Sequence, residues 1–382
     1  MPTTHIFTVN PTTFNVHLNY MFAGTGKDGQ AHQTGALADI LGIRSEDNII
    51  FYVTGWGFYG FFKPKNNDAI VFYESNKGQY LDKELGGKTL TYRLFIEESK
   101  LGVYESGVSE WDAIENPKYI KNSSIFKMQW SWIFKKLNAN RGCTAITNDE
   151  FELLKGIIIH NKNKKLPPRD NYKFEDGGIS ISKEKFKYSG KTDILPRIEE
   201  ELETINREED LRILFTVRSG VDDLLNKVLR PKNYGLINFI SNESICSFGE
   251  KKIDLIFFTK KEKCLLIELK NDFVCDEKII GQIIGYARWI SAYKRDLKEI
   301  VPILIVREPL ELAPSKGCKY YKYLSKNDLK NNAPSEWYKS VIKNIQAAKV
   351  STQKYKIKKM SGLRVYSFNT NQDNIFQGFD EL

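Results

Sequence analysis

A chain of 382 residues, 41% hydrophobic and 13% aromatic, has room for two or three domains that each bury a core, and this composition excludes a disordered chain. No stretch approaches the roughly 18 uninterrupted apolar residues of a membrane span, and the opening Met-Pro-Thr-Thr-His-Ile-Phe lacks the charged leader and apolar run of a secretory signal. Five scattered cysteines (Cys143, Cys246, Cys264, Cys275, Cys318) without a Cys-x-x-Cys pair argue against a disulfide framework or structural zinc and for a reducing compartment, so a cytoplasmic location is expected. Of the formal charge of +9, the segment from Glu311 to Leu382 carries +7, with 13 Lys/Arg against 6 Asp/Glu. A basic segment on a near-neutral protein fits a polyanionic partner, most simply nucleic acid; the alternative is a solvated, lysine-rich helical tail.

Residues 1–160 read as short aromatic strands: His5 to Val9, Ile49 to Thr54, Phe58 to Lys63, Ala69 to Tyr73 and Lys88 to Ile96, with turns at Gly24-Thr-Gly26, Gly55-Trp-Gly57 and Gly86-Gly87. Thr147-Asn-Asp-Glu150 is a capping box ahead of Phe151, Leu153, Leu154 and Ile157, which predicts a closing helix. Residues 161–194, with Pro167-Pro168 and Gly177-Gly178, read as an interdomain linker carrying a short strand pair. Pro196 then opens an acidic helix through Glu199, Glu200, Glu201 and Glu203, and a second helical stretch runs from Glu208 to Leu229. Two strands, a helix and a third strand (Val301 to Val306) follow, an α/β order that defines a domain over 195–310, with 311–382 as its basic extension.

The chemical signal lies in two apolar runs, Ile253-Asp254-Leu-Ile-Phe-Phe258 and Cys264-Leu-Leu-Ile-Glu268-Leu-Lys270, joined by a five-residue turn into a β-hairpin. Period-two alternation puts Glu268 and Lys270 on one face, about 6–7 Å apart, while Leu265, Ile267 and Leu269 bury the other. An acid and an ammonium in so apolar a strand carry a desolvation cost that calls for a function. Antiparallel pairing brings Asp254 near Glu268, and two close carboxylates repel unless a cation lies between them. Mg²⁺, with Mn²⁺ as a substitute, suits two such hard oxygen ligands plus water and a phosphate, and Lys270 is placed to stabilise the pentavalent phosphate or to orient the attacking water. Other acid-x-Lys strings, such as Glu98-x-Lys100 and Asp328-x-Lys330, lack this strand context. The four histidines, His5, His17, His32 and His160, have no metal-ligand spacing and read as structural.

These strings resemble the PD-(D/E)XK nuclease superfamily, in which an Asp on one strand and an Asp/Glu-x-Lys on the next form the metal site. Gln282-x-x-x-Tyr286, one helical turn apart on the helix from about Glu277 to Tyr293, resembles the motif of one subset of that superfamily. Over residues 196–310 the match is closest to mismatch endonucleases and Mrr-like restriction enzymes. The resemblance implies Asp254, Glu268 and Lys270 as catalytic residues with Gln282 and Tyr286 beside them, and a first helical acid that is Glu208, Glu209 or Glu200, with Glu208 preferred. Ile253 stands where the superfamily usually has Pro.

In residues 1–160, Trp56 between two glycines is poorly explained as a strand core residue, and aromatic walls around a flipped base are the functional alternative. His5-Ile-Phe-Thr-Val-Asn-Pro11, Asn19-Tyr-Met-Phe-Ala-Gly24, Ile50 to Gly60 and Trp132-Ile-Phe-Lys-Lys136 are similar to the PUA-like superfamily that includes EVE and YTH domains. That resemblance implies a β-barrel with helices, a modified-base pocket near Phe22, Trp56, Trp111 and Trp130, and backbone contacts from Lys135, Lys136 and Arg141. Phe22 stands where many relatives have Trp. Taken together, the two resemblances imply a two-domain α/β and α+β protein, a prokaryotic modification-dependent restriction endonuclease acting in antiviral defence on double-stranded DNA, as a homodimer and away from membranes. A mismatch- or structure-specific repair nuclease and a non-catalytic reader of modified nucleic acid are the alternatives.

Overall fold

Asn10, Pro11 and Thr13 start the first helix. The Asn10 side chain accepts from the Thr13 N–H at 2.7 Å, the Thr13 hydroxyl accepts from the Asn10 N–H at 3.1 Å, and Pro11 occupies a first-turn position where no donor is needed. Helix α1 (Pro11–Tyr20) therefore separates β1 (Thr4–Val9) from β2 (Phe22–Thr25), an interruption that strand alternation alone does not reveal. The computed structural model describes residues 3–26, 34–65, 70–72, 79–115, 142–160, 164–190, 203–219, 222–246, 251–294, 296–308, 336–354, 357–371 and 373–382. The chain divides into two compact units, Met1–Ile198 and Glu199–Leu382, both of mixed α/β composition.

The first unit continues with α2 (Thr34–Leu41), β3 (Asn48–Val53), β4 (Gly57–Pro64), β5 (Ile70–Phe72), β6 (Tyr92–Glu98), α3 (Glu110–Glu115), β7 (Cys143–Ile146) and α4 (Asn148–His160). Its strands form one curled, half-barrel sheet in the order β2-β6-β4-β3-β1-β7, with β5 also on β6. Strands β1 and β3 are parallel, in the register Ile6↔Ile50 and Phe7↔Phe51. Period two then sorts the side chains: Phe7, Phe51 and Phe62 enter one core with Phe14 and Leu18 of α1, while Ile6, Ile50 and Phe61 enter another with Phe151, Leu154 and Ile157 of α4. Burial on both faces is why these strands read as nearly continuous apolar runs. The expected capping box is present, with the Thr147 N–H donating to Glu150 Oε2 at 2.6 Å.

The segment read as a linker belongs to this unit. Strands β8 (Tyr172–Glu175) and β9 (Gly178–Ile181) form the expected strand pair, but Tyr172, Phe174 and Ile179 join the core of Phe7 and Phe14. Tyr172 donates to Glu98 Oε2 at 2.6 Å, the Phe174 N–H donates to Asn15 Oδ1 at 2.8 Å, and Tyr59 donates to the Gly177 carbonyl at 2.8 Å. Prolines and glycines mark the turns of this hairpin, and its alternating apolar residues close a core that the first 160 residues leave open.

The second unit opens with α5 (Glu208–Arg218), α6 (Asp223–Leu229) and α7 (Pro231–Tyr234). The helix read over Glu208 to Leu229 is thus two helices, because Asp222 caps a new start by accepting from the Leu224 N–H at 2.7 Å. Pro196 and Glu199 to Glu201 lie outside the described residues. Strands β10 (Ile237–Cys246), β11 (Lys251–Thr259) and β12 (Lys263–Lys270), helix α8 (Glu277–Tyr293), strand β13 (Glu299–Arg307), helix α9 (Glu336–Lys354) and strands β14 (Arg364–Thr370) and β15 (Phe376–Glu381) follow. The six strands stand in chain order across one sheet, antiparallel from β10 to β12, parallel from β12 to β14, and antiparallel at β15. Strand β10 escapes detection in the sequence because Asn238, Ser241, Asn242 and Ser244 dilute its apolar pattern. The sheet is not complete at residue 310: Tyr366, Phe368, Phe376 and Phe379 share a core with Leu265, Ile267 and Leu269, so the basic extension also supplies core strands.

Candidate functional site

The β11/β12 register places the site. Leu255 faces Ile267 and Ile256 faces Leu266, so Asp254 lies across from Glu268 on the opposite face from the core of Leu255, Ile267 and Leu269. Both carboxylates are buried, Glu268 at 3% and Asp254 at 8% exposure. Asp254 Oδ2 accepts the Leu269 N–H at 2.8 Å, which holds the acid against the neighbouring strand. Glu268 Oε1 pairs with Lys270 Nζ at 2.8 Å, while Glu268 Oε2 is buried and makes no hydrogen bond. Lys270 Nζ also donates to the Leu269 carbonyl at 2.6 Å and stands 3.7 Å from Glu208 Oε2, at the start of α5.

Electrostatics follow from this crowding. Burial, then the charge of Asp254, pushes Glu268 up to about 8 and Glu208 up to about 7. Asp254 is also raised, by burial, against the opposing pull of Lys270 and the Leu269 N–H. Burial works against the Lys270 ammonium, but Glu268, Asp254 and Glu208 together hold it above its ordinary value. Three carboxylates around one ammonium leave an excess of negative charge whenever all are ionised, and a divalent cation relieves that excess.

Of the sequence-predicted residues, Asp254, Glu268 and Lys270 are therefore gathered, with Glu208 rather than Glu209 as the helical acid nearest Lys270; Glu200 lies outside the described residues. Tyr286 is buried and donates to the Lys252 carbonyl at 2.8 Å, with Gln282 hydrogen-bonded to it and burial raising its phenol. This pair braces β11 two residues before Asp254 and does not touch the carboxylates by hydrogen bond. No protein-family model and no curated protein matches this chain.

Two residues were missed from the sequence. Arg212, one helical turn after Glu208, is buried, reaches Glu243 Oε1 at 3.2 Å, and opposes the rise of both Glu208 and Asp254. Its i,i+4 spacing from Glu208 was the available signal. Glu243 lies between Asn242, paired with Leu255, and Ser244, paired with Ile253, which sets it across from Asp254 in a left-handed conformation (φ 45°). Nothing in a strand sequence announces that backbone.

Of the expected base cage, the described residues Phe22, Trp56 and Trp111 make no ring contact with one another. Phe22 is fully buried, with His17 at 4.7 Å, Tyr188 at 5.7 Å and the Arg93 guanidinium 5.1 Å above its ring. Trp56 is 47% exposed and rests against Phe174 and the open side of Gly177, while Trp111 is 72% exposed on α3. Trp130, Lys135, Lys136 and Arg141 lie outside the described residues, as do Lys316, Tyr320, Tyr321, Tyr323 and Tyr355 of the basic segment. Lys349 of α9 donates to the Leu382 carbonyl, so that ammonium is engaged within the protein. Among the described residues no helix is long and apolar enough to cross a membrane.

Proposed function

We propose that the chain is a metal-dependent DNA endonuclease of the PD-(D/E)XK type whose first unit, PUA-like in kind, reads a modified base: a modification-dependent restriction enzyme. The observation that carries the reading is the buried Asp254, Glu268 and Lys270 cluster, with Glu208 at its rim, on a sheet reached in the order helix, three antiparallel strands, helix, parallel strand. A purely structural role would not favour burying two carboxylates across from each other and leaving Glu268 Oε2 without a partner.

The donor set fits Mg²⁺. Among the described residues no group of three or more His, Cys, Asp and Glu side chains stands ready to hold an ion alone. Two carboxylates with remaining positions for water and a phosphate oxygen is the usual Mg²⁺ arrangement, and Asp254 with Glu268 Oε2 would supply it. When bound, the ion would supply charge neutralisation at the scissile phosphate and a more acidic water. Glu268 and Asp254 must be ionised for this. Lys270, held by Glu268 and the Leu269 carbonyl, directs its ammonium toward the developing charge or the attacking water. Glu208, raised to about 7, is suited to exchange a proton with that water near neutral pH. One such centre per chain cuts one strand, so double-strand cleavage calls for a homodimer.

Digestion of phage DNAs bearing different base modifications, with Mg²⁺ present and with Lys270→Ala beside the wild type, tests the reading. Cleavage of at least one modified DNA by the wild type alone is expected. Survival of every modified DNA refutes it, and cutting of unmodified mismatched duplex without stimulation by a modified base points to a repair nuclease.

A further inference from the structure

Residues 182–190 follow β9 without regular secondary structure; Lys183, Glu184 and Lys185 are exposed, and from Lys185 on the side chains alternate, with Lys187 and Ser189 exposed and Phe186 and Tyr188 half-buried. The Phe186 ring lies 5.3 Å from Tyr20. Tyr188 is set into a socket of three rings, Tyr80 at 4.8 Å, Phe95 at 4.9 Å and Phe22 at 5.7 Å, all near-perpendicular to it. Its hydroxyl accepts from Arg93 Nη1 at 3.2 Å, and Arg93, with no exposed surface, also donates to Gln79 Oε1 and the Leu90 carbonyl. Beyond Phe22 stands His17, fully buried, with neither ring nitrogen hydrogen-bonded.

This socket offers a planar aromatic guest walls of π-density and a buried cationic donor for an edge oxygen. A phenol with its oxygen on Arg93 resembles a pyrimidine presenting a ring carbonyl. The segment is also held by Ser189 N and Oγ, each 3.1 Å from Tyr80 Oη, by the Lys187 carbonyl, which accepts from Tyr80 at 3.4 Å, and by the Glu184 carbonyl, which accepts from Asn171 Nδ2 at 3.1 Å. Among the described residues no strand pairing fixes it.

We infer that the socket of Phe22, Tyr80, Phe95 and Arg93 is the nucleobase site of the first unit, and that Tyr188 fills it as a built-in plug which an extruded base displaces. The inference rests on the base-reading role proposed above and names the residues of that site, in place of Trp56 and Trp111. Displacement also frees the strap that carries Tyr188, exposing the chain at Lys185 and Lys187.

The test measures binding by the full-length protein of short duplexes carrying a single 5-methylcytosine, 5-hydroxymethylcytosine or N6-methyladenine, against the unmodified duplex, for wild type, Tyr188→Ala and Phe22→Ala. The expected result is preferential binding of one modified duplex by the wild type, at least tenfold tighter binding of it by Tyr188→Ala, and loss of the preference in Phe22→Ala. Trypsin supplies a readout that does not depend on the fold of the variants: the preferred duplex speeds cleavage of the wild type after Lys185 and Lys187. Preference in the wild type with no tightening in a folded Tyr188→Ala, or with unchanged or slowed cleavage of the strap, overturns the plug and leaves base reading intact. Absence of preference in both wild type and Tyr188→Ala overturns base reading and the plug together.

Discussion

Replacing Glu268 by glutamine removes one negative charge from a side chain that is 3% exposed and barely alters its volume. Burial and the neighbouring Asp254 place the Glu268 carboxyl at about 8, against an ordinary 4.5. In the metal-free protein the native state keeps a proton that the unfolded chain releases above about pH 5, so Glu268 lowers stability as pH rises through this window and reaches its full cost above pH 8. At about 1.4 kcal/mol per unit, the interval sets a ceiling of about 5 kcal/mol; pairing with Lys270 and entry of water on ionisation reduce this, and about 2 kcal/mol is expected. The glutamine amide would keep a hydrogen-bond acceptor for Lys270 without the charge. The assay is hydrogen exchange of peptides covering β11 and β12, which reports opening of this hairpin apart from the first unit. With a chelator present, wild type and Glu268→Gln should be equally protected near pH 5, and at about pH 8.5 the variant should be the more protected by about 2 kcal/mol. Saturating Mg²⁺ should reverse the order, since ligand at a hundredfold its Kd adds about 2.7 kcal/mol to the wild type alone. A wild type as well protected as the variant at the higher pH without metal would refute the electrostatic argument.

Apparent Mg²⁺ affinity should rise between pH 6 and 8.5, because Glu268, at about 8, must lose its proton to ligate the ion and ionised Glu208 adds attraction; titration calorimetry showing constant affinity contradicts this. Arg307 is buried and donates to Ile205 O, Asn271 Oδ1, Thr370 Oγ1 and Asn374 Oδ1, so Arg307→Met should cost about 3 kcal/mol or more in urea unfolding, and a loss below about 1 kcal/mol counts against it. Tyr286→Phe removes the bonds to the Lys252 carbonyl and to Gln282 and should cost about 1–2 kcal/mol, with cleavage retained; complete loss of cleavage in a folded variant would assign the hydroxyl a direct part in the chemistry. A fragment ending at residue 160 gives up burial of Tyr172, Phe174 and Ile179, about 5 kcal/mol in all, and should unfold at markedly lower urea than one ending at residue 190; equal midpoints would restore the linker reading.

The hairpin that carries Asp254, Glu268 and Lys270 was legible because its information is local. Two apolar runs, a turn and an acid-x-Lys at period two place Asp254, Glu268 and Lys270 on one face whatever surrounds them, and the Asp276-capped helix from Glu277 to Tyr293 follows equally from its own residues. Glu208 could be ranked above its rivals, but only its 3.7 Å approach to Lys270 brings it to the site. Arg212 was hinted at only by its spacing from Glu208, and Glu243 not at all, since their pairing depends on a helix and a strand residue of left-handed backbone converging from separate parts of the chain.

The aromatic unit shows the opposite balance. Sequence by itself determined the short, ring-rich strands among the described residues of 1–160, because alternation and turn residues act over a few positions. It could not say which rings meet. Phe22 joins Tyr188, and Trp56 joins Phe174 and Gly177, because the hairpin at Tyr172–Ile181 and the strap beyond it fold back onto the sheet. A ring contributes the same hydrophobic surface wherever it packs, so composition fixes how much must be buried, and only the tertiary path of the chain decides against what.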